Sequence, residues 1–159
     1  MVPKQRVASK ILFQIDVDDD GTFVNFGCLR DIQSPGLNRN GVDVTCLEDD
    51  FDREEPGPTI DPGDITGTLF WDEAAADHQA VEDIAWRLSS AEPGPIVPMR
   101  VILPWAPTAG EYTALTFNGW FKTLGAVQMT VKTEITRSVT IDVQERAVRT
   151  TGLPAAFGL

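Results

Sequence analysis

The sequence has no long apolar run, and this limits where the protein can work. Nowhere in its 159 residues does an apolar stretch approach the roughly 20 residues that a membrane-spanning helix needs. The first ten residues, MVPKQRVASK, are positively charged, but no apolar segment or small-residue cleavage site follows them as in a signal peptide. We therefore expect an intracellular product with no membrane role. Apolar residues make up 42%, which together with the length predicts one globular domain over residues 1–159.

Cysteine and histidine are scarce, which excludes whole classes of site. Two cysteines, Cys28 and Cys46, and the single His78 do not provide the closely spaced ligands of a zinc site. We interpret the cysteines as buried free thiols, with one disulfide between them as the alternative.

Catalytic and phosphate-binding motifs are also missing. The sequence contains no G-x-S-x-G, no G-x-x-x-x-G-K-[ST] and no G-x-G-x-x-G. His78 lies beside Asp77 on a predicted helix, and we interpret it as a helix-surface histidine. Carboxylates are plentiful, but they cluster in predicted loops rather than across a cleft, as a glycosidase pair requires. We therefore predict no enzyme, no metal site and no cofactor.

Positive charge is in short supply, and the excess of acid is uneven. The formal net charge is −11. Residues 16–64 alone hold fourteen acids against three arginines, whereas residues 100–159 carry a net +2. Such a surface repels phosphate backbones, so we expect no tight binding to nucleic acid. DNA could pass close to it without sticking.

What the sequence does contain is alternation of apolar and polar residues, the pattern of β-strands. The strand-like segments are KILFQIDV (10–17), TFVNFGCL (22–29), GVDVTCL (41–47), ITGTLFW (65–71), VPMRVIL (97–103), ALTFNGWFKTL (114–124) and RSVTIDVQ (137–144). Residues 48–64 are acidic and contain Pro56, Pro58 and Pro62, so we expect a long exposed loop there. The weakly patterned residues 146–159 predict an extended C-terminal tail.

One helix is predicted, within residues 72–90. Its apolar stripe comprises Val81, Ile84, Ala85 and Leu88. Asp72 or Asp77 is the candidate N-cap, and the EPGP that follows at 92–95 ends the helix. Since βαβ alternation is missing, the fold class we predict is mainly β. The expected architecture is an antiparallel β-sandwich or barrel with one α-helix packed on it.

The stretch DVDDDGTF (16–23) is similar to the first half of a calcium-binding loop, because aspartates alternate before a glycine. Counted from Asp16, however, the ninth position is Val24 and the twelfth, where a bidentate Glu is required, is Gly27. Asp-Gly between two strand patterns is a strong hairpin signal. We predict a hairpin turn, with weak calcium binding as the alternative.

Four tryptophans are spread along the chain without the basic neighbours of a base-stacking platform. We interpret them as core and interface anchors. Trp105 stands between two prolines in LPWAP (103–107), at a predicted strand end. Held rigid and exposed in this way, it is a candidate anchor for a protein contact.

The order of these segments carries a resemblance that no single segment does. The quoted elements are GTFVNFGCLRDIQ, VDVTCLEDDFDREEPGPTIDPGDITGTLFWD, ADHQAVEDIAWRL, MRVILPWAP, YTALTFNGWFKTLG and EITRSVTIDVQ. Together, over about residues 20–145, they resemble the major tail tube proteins of long-tailed phages with non-contractile tails and of related tail-like particles. The C-terminal RAVRTTGLPAAFGL has no counterpart in that pattern.

The resemblance implies a structural virion protein with no catalytic residues. Hexameric rings would stack into a tail tube, assembled in the host cytoplasm, through which DNA passes without specific binding. The implied partners are further copies of the chain, the tape measure protein, the tail terminator and the distal tail protein. The aspartates of the hairpin turn become candidates for the lumen or for the turn alone; they are Asp16, Asp18, Asp19 and Asp20.

The resemblance also assigns contacts between rings to the acidic loop. The residues concerned are Glu48, Asp49, Asp50, Phe51, Asp52, Arg53, Glu54 and Glu55. Phe51 would be a buried anchor and Arg53 would pair with an acid on the neighbouring ring. A local staple within the loop is the alternative for Phe51.

Two other functions stay open at this point. One is a β-sandwich that binds a ligand, calcium-stabilised and directed at carbohydrate, with Trp105 or Trp120 as the sugar platform. The other is a different virion tail component, such as a terminator or connector.

Overall fold

The computed structural model describes residues 11–26, 29–33, 35–45, 53–72, 74–129 and 135–159. Within these ranges the strands are β1 (Leu12–Asp16), β2 (Phe23–Asn25), β3 (Leu29–Ile32), β4 (Asn38–Asp43), β5 (Glu54–Asp61), β6 (Asp64–Phe70), β7 (Val97–Leu103), β8 (Tyr112–Leu124), β9 (Thr136–Val143) and β10 (Val148–Gly152). Helix α1 is Ala76–Ala85, and a 3₁₀ helix covers Pro154–Phe157.

The main sheet is antiparallel and curls on itself. Its strand order is β2-β1-β7-β8-β9-β6-β3, with β10 paired to β8 beside this path. The two end strands are consecutive in the chain: Asn25 and Leu29 are four residue steps apart, a reach of about 14 Å. The two ends of the sheet must therefore lie close together, which gives a barrel-like body. This confirms the predicted mainly-β, antiparallel architecture.

The core lies inside the curled sheet, and the predicted alternation places it there. Every second residue of the central strands points inward, and the deepest of these are Phe13, Ile15, Val97, Met99, Val101, Phe117, Val139 and Ile141. Helix α1 adds His78, Val81 and Ile84 from one face. Burial of this apolar surface is the main stabilising contribution to the body.

Helix α1 is shorter than the sequence predicts. It ends at Ala85, so Leu88 lies outside it and is 72% exposed rather than part of the buried stripe. Neither candidate cap caps it: the N-cap is Ala75, without a side-chain bond. Asp72 instead accepts the N–H of Ala74 (3.0 Å). The helix is held by packing on the core rather than by its ends.

The predicted return strand 22–29 is divided between the two ends of the sheet. β2 ends at Asn25, whereas β3 begins at Leu29 and pairs with β6. Phe26 is buried in the core, and its N–H donates to the carbonyl oxygen of Phe13 (2.8 Å), so the hairpin bonding continues to Phe26 before the chain passes to β3.

The C-terminal residues 146–159 are only partly extended. β10 pairs with the first half of β8, and the 3₁₀ helix then places Phe157 on the outer face of the sheet against Ile102 and Ala114. Arg100 Nη2 donates to the carbonyl oxygen of Phe157 (3.0 Å), and burial lowers the pKa of that guanidinium. Packing of Phe157 against the sheet holds the C-terminal residues in place, and the weak apolar pattern of residues 146–159 gave no sign of it.

Candidate assembly surface

Strands β4 and β5 form a separate two-stranded sheet, the β4–β5 ribbon. The expectation of a long exposed loop over residues 48–64 is therefore wrong for Glu54–Asp61 in that this segment is a strand, although it is exposed except at Gly57. Prolines are excluded from sheet interiors because they lack an N–H, but each strand of this ribbon has a free edge, where Pro56 and Pro58 are tolerated. Only Pro62 lies in a turn, before Gly63 with its positive φ of 74°.

The ribbon is exposed along almost its whole length. Every residue of β4 and all of β5 except Gly57 are exposed. Gly57 is buried because the strands approach so closely there that a Cβ would stand 2.6 Å from the carbonyl oxygen of Asn40. Val42 and Ile60 are exposed apolar side chains on the two strands. The ribbon therefore extends from the barrel as an arm with little cover of its own.

Hydrogen bonds close the ribbon up to its tip. Val44 N–H donates to the carbonyl oxygen of Arg53 (2.9 Å), and Arg53 N–H donates to Thr45 Oγ1 (2.9 Å). Hydrogen bonds from Thr45 lower the pKa of the Asp43 carboxyl. The Arg53 guanidinium is 3.9 Å from Glu55, and both side chains are 63% exposed, so this ion pair is weak. Arg53 is thus open to a stronger partner.

The structure describes three of the eight loop residues predicted to make ring contacts, and their role in such contacts stays a prediction. Arg53, Glu54 and Glu55 are exposed at the tip end of β5. The others lie outside the described residues: Glu48, Asp49, Asp50, Phe51 and Asp52. In the sequence they lie between Thr45 and Arg53.

The hairpin turn predicted at residues 16–21 is confirmed by the pairing of β1 with β2. Asp16 is only 1% exposed, and its carboxylate accepts the N–H groups of Gly21 (2.8 Å) and Asp20 (3.2 Å). Asp16 is therefore a turn residue. The three other aspartates of the turn are exposed, and a place for Asp18, Asp19 and Asp20 at the lumen stays a prediction.

Trp105 lies in the loop between β7 and β8. It is half-buried rather than freely exposed, and its carbonyl oxygen accepts the hydroxyl of Thr113 (2.7 Å). Flanking prolines do not by themselves expose a side chain, since the loop folds back over its own strand ends. The role of Trp105 in a protein contact stays a prediction.

The prediction that His78 lies on the helix surface is wrong. Its side chain is 5% exposed and lies in the core. Its ring stacks on Trp71 with centroids 5.0 Å apart, and its Nδ1 accepts the N–H of Asp72 (2.9 Å). Arg137 lies over the same indole at 4.5 Å and pairs with Glu82 of α1 at 3.2 Å. This cluster joins the helix to the sheet, so its role is structural.

Sequence reasoning missed a groove at the base of the ribbon, which we call the arginine groove. It is lined by Pro35, Gly36, Leu37, Ile60, Pro62, Leu115 and residues 144–147 and 149, and it encloses about 590 Å³. Its lining includes the exposed apolar side chains of Leu37 and Ile60 and the positively charged side chains of Arg146 and Arg149. Only the folded chain brings these distant segments together.

None of these surfaces brings reactive groups together. In the part of the chain that the structure describes, no three histidine, cysteine, aspartate or glutamate side chains converge as metal ligands would. Across the same described ranges, no helix has both the length and the apolar character needed to cross a membrane. The arrangement consists of a packed barrel, an exposed arm and a charged groove, which are features suited to contacts between proteins.

Comparison with known proteins gives relatives by structure alone. No protein-family model matches the sequence, and no curated protein matches it. A chain from the tail of an empty gene transfer agent particle, refined helically with C6 symmetry, matches with a TM-score of 0.68 at 16% identity. That match covers 92% of this chain and 99% of the other.

Two further structures agree. The SPP1 tail tube, a hybrid of solid-state NMR and cryo-EM, matches with a TM-score of 0.61 at 12% identity, over 92% of this chain and 79% of the other. A chain from the structure of the sheath/tube terminator of PVC, an extracellular contractile injection system, matches with a TM-score of 0.65 at 9% identity. This match covers 94% of this chain and 99% of the other. The fold of this protein is thus the one found in the gene transfer agent tail and the SPP1 tail tube, as the sequence resemblance implied.

Proposed function

We propose that this chain is a structural subunit of a tail tube, in which hexameric rings stack around a channel for DNA. The observation that carries the proposal is the fold. It matches the chain of the gene transfer agent tail over 92% of this chain and 99% of the other, and the SPP1 tail tube over 92% and 79%. The C6 symmetry of the gene transfer agent tail supports rings of six. As a wall component of a virion tail, the chain needs no catalytic site.

The charge of the chain supports passage of DNA. A channel wall must approach phosphate backbones closely without holding them, and a net charge of −11 repels them. Asp18, Asp19 and Asp20 are exposed on a hairpin turn and would extend this field into the lumen if that turn faces it.

The β4–β5 ribbon supports self-assembly. A two-stranded sheet is marginally stable in water, and this one is exposed over nearly all of its length. Contact with a second copy would cover it, with Phe51 as the apolar anchor and Arg53 paired to an acid across the ring contact. The other partners in this proposal are the tape measure protein in the lumen and the tail terminator and distal tail protein at the two ends.

Electron microscopy of the purified protein tests the proposal. We expect rings with sixfold symmetry or tubes built from stacked rings. A monodisperse monomer that persists at high concentration would contradict it and would favour a ligand-binding β-sandwich instead.

A tube terminator is the second candidate, because a chain of the PVC sheath/tube terminator matches over 99% of its length. A terminator must close a tube rather than extend it. The same micrographs separate the two functions: tubes longer than a few rings support the tube subunit, whereas isolated single rings at every concentration support the terminator.

A further inference from the structure

The arginine groove carries two positive charges, those of Arg146 and Arg149. Among the described residues, neither Arg146 nor Arg149 makes an ion pair. Other arginines are committed internally: Arg87 donates to the carbonyl oxygen of Val17 (2.8 Å), and Arg137 to that of Gly125 as well as to Glu82. In a chain with a net charge of −11, two arginines in a groove that also has apolar side chains are suited to an acidic partner.

The chain itself contains a matching acidic segment, which ends with the first two residues of β5 and which we call the ribbon tip. Residues 48–55, EDDFDREE, combine six acids with one aromatic and one arginine. The acids are complementary to Arg146 and Arg149, and Phe51 is complementary to the apolar side chains of Leu37 and Ile60. Glu145, at the same rim, offers an acid to Arg53.

This segment is too short to reach the arginine groove of the same molecule. The ribbon residues that line the groove are at the base, near Ile60, whereas the tip begins at Arg53, about 20 Å away along β5. Thr45 and Arg53 are hydrogen-bonded to each other at the end of the ribbon far from the groove. To enter the groove of its own molecule, the segment between these two residues would have to run to the base of the ribbon and back, a path of about 40 Å. Its eight residue steps span at most about 28 Å. The occupant must come from another molecule.

We propose that the arginine groove is the receptor for the acidic ribbon tip of a second copy of this chain. The inference rests on the proposed function and deepens it, since it names the surface that receives the ring contact. Tip and groove are different surfaces of one subunit, so the contact is head-to-tail. Contacts of this kind generate closed rings or open stacks rather than symmetric dimers.

Charge exchange between the two surfaces tests the pairing. We expect Arg146→Glu with Arg149→Glu to raise the protein concentration needed for assembly at least about tenfold, measured by sedimentation and electron microscopy. Glu54→Arg with Glu55→Arg at the tip should do the same. Combining all four substitutions restores opposite charges across the contact and should restore assembly in large part.

Controls separate this contact from folding and from net charge. The monomer of each variant should melt at the temperature of the wild type, because the substituted side chains are exposed. Ser89→Glu with Ser90→Glu adds two negative charges beyond α1, half the change in net charge that the groove variant makes. These serines do not line the groove, so this control should assemble normally.

The outcomes also separate the groove from the proposed function. If the groove variant assembles like the wild type, the groove is not the receptor, although the tube function stands. If both double variants fail and the fourfold variant fails too, tip and groove do not meet. A wild type that forms neither rings nor tubes would contradict the tube function, and the groove's partner with it.

Discussion

The barrel and the β4–β5 ribbon differ in how many of their side chains are buried. In the barrel, alternate residues point into a shared core, and side chains such as Ile15, Leu69 and Met99 are completely buried. In the ribbon, both faces of both strands are open to solvent except at Gly57. The barrel is stabilised within one molecule. The ribbon is stabilised mainly by the backbone hydrogen bonds between β4 and β5.

The difference implies that stability and assembly are separate properties of this chain. Side chains that keep the barrel folded are hidden from any neighbour, whereas the charged residues of the ribbon tip contribute little to folding and are free for contacts. Changes in one region should therefore leave the property of the other intact.

Substitutions at the ribbon tip should abolish assembly without unfolding the chain. We expect Phe51→Ala and Arg53→Glu each to give a folded monomer that forms no tubes. Removal of an aromatic anchor or reversal of a contact charge affects the interface, while Arg53 is exposed in the subunit. Electron microscopy reports the tubes and circular dichroism reports the fold.

The comparison needs a matched change on the same ribbon. Thr59 is exposed on β5, so Thr59→Ala should assemble normally if the tip alone makes the contact. Tubes of normal length from both tip variants would remove the tip from the interface and break the division between the two regions.

A core truncation in the barrel should have the next largest effect, now on stability. Phe117 is 2% exposed and its ring lies 6.5 Å from that of Phe13. We expect Phe117→Ala to lower the free energy of unfolding by about 3–5 kcal/mol, measured by urea denaturation. Val42→Ala on the exposed ribbon should change it by less than about 0.5 kcal/mol. Similar losses from both would show that the ribbon shares the barrel's cooperative core.

The barrel could be predicted from sequence because burial leaves a periodic trace. Segments 97–103 and 114–124 alternate cleanly, and they became β7 and β8 within two residues of the predicted ends. The closure of the barrel could not be predicted, since it depends on β3 pairing with β6 at the other end of the sheet from β2. Such pairings join residues far apart in the chain and leave no local signal.

The ribbon and the groove escaped prediction for a different physical reason. An exposed two-stranded ribbon has no buried face, so its strands need no apolar alternation and tolerate Pro56 and Pro58. Composition predicted an exposed acidic segment over residues 48–64, and Arg53, Glu54 and Glu55 are indeed exposed, but composition could not show that Glu54–Asp61 forms a strand. The arginine groove combines residues near 36, 60, 115 and 146, which only the fold brings together.

A smaller effect is expected where the barrel ends and a turn begins. Asp16 is buried and its carboxylate accepts two main-chain N–H groups, whereas Asp18 is exposed. Asp16→Ala leaves those donors without their acceptor and should cost about 1–3 kcal/mol of unfolding free energy. Asp18→Ala should be near neutral in chemical denaturation. Equal losses would contradict the assignment of Asp16 as the residue that holds the turn.

The smallest effect is expected at Lys122, on the outer surface of the barrel. β6 and β9 place Asp64 directly opposite Asp142, an unfavourable pair of like charges. Lys122 lies at a bulge of β8, and its Nζ is 2.8 Å from Asp64 Oδ2. We expect Lys122→Gln to lower the melting temperature slightly at neutral pH, and less so in high salt, because the site is exposed.

The pH dependence of that difference identifies its cause. The hydrogen bond from Lys122 to Asp64, followed by the charge of Asp64, raises the pKa of the ammonium above its ordinary value of 10.5. A raised pKa means that the folded chain holds this proton more tightly, so the contribution is complete below 10.5 and is lost as the pH rises through the folded value. Melting curves of the wild type and Lys122→Gln should therefore converge at alkaline pH. A gap that persists there would assign the effect of Lys122 to packing of its aliphatic stem rather than to its charge.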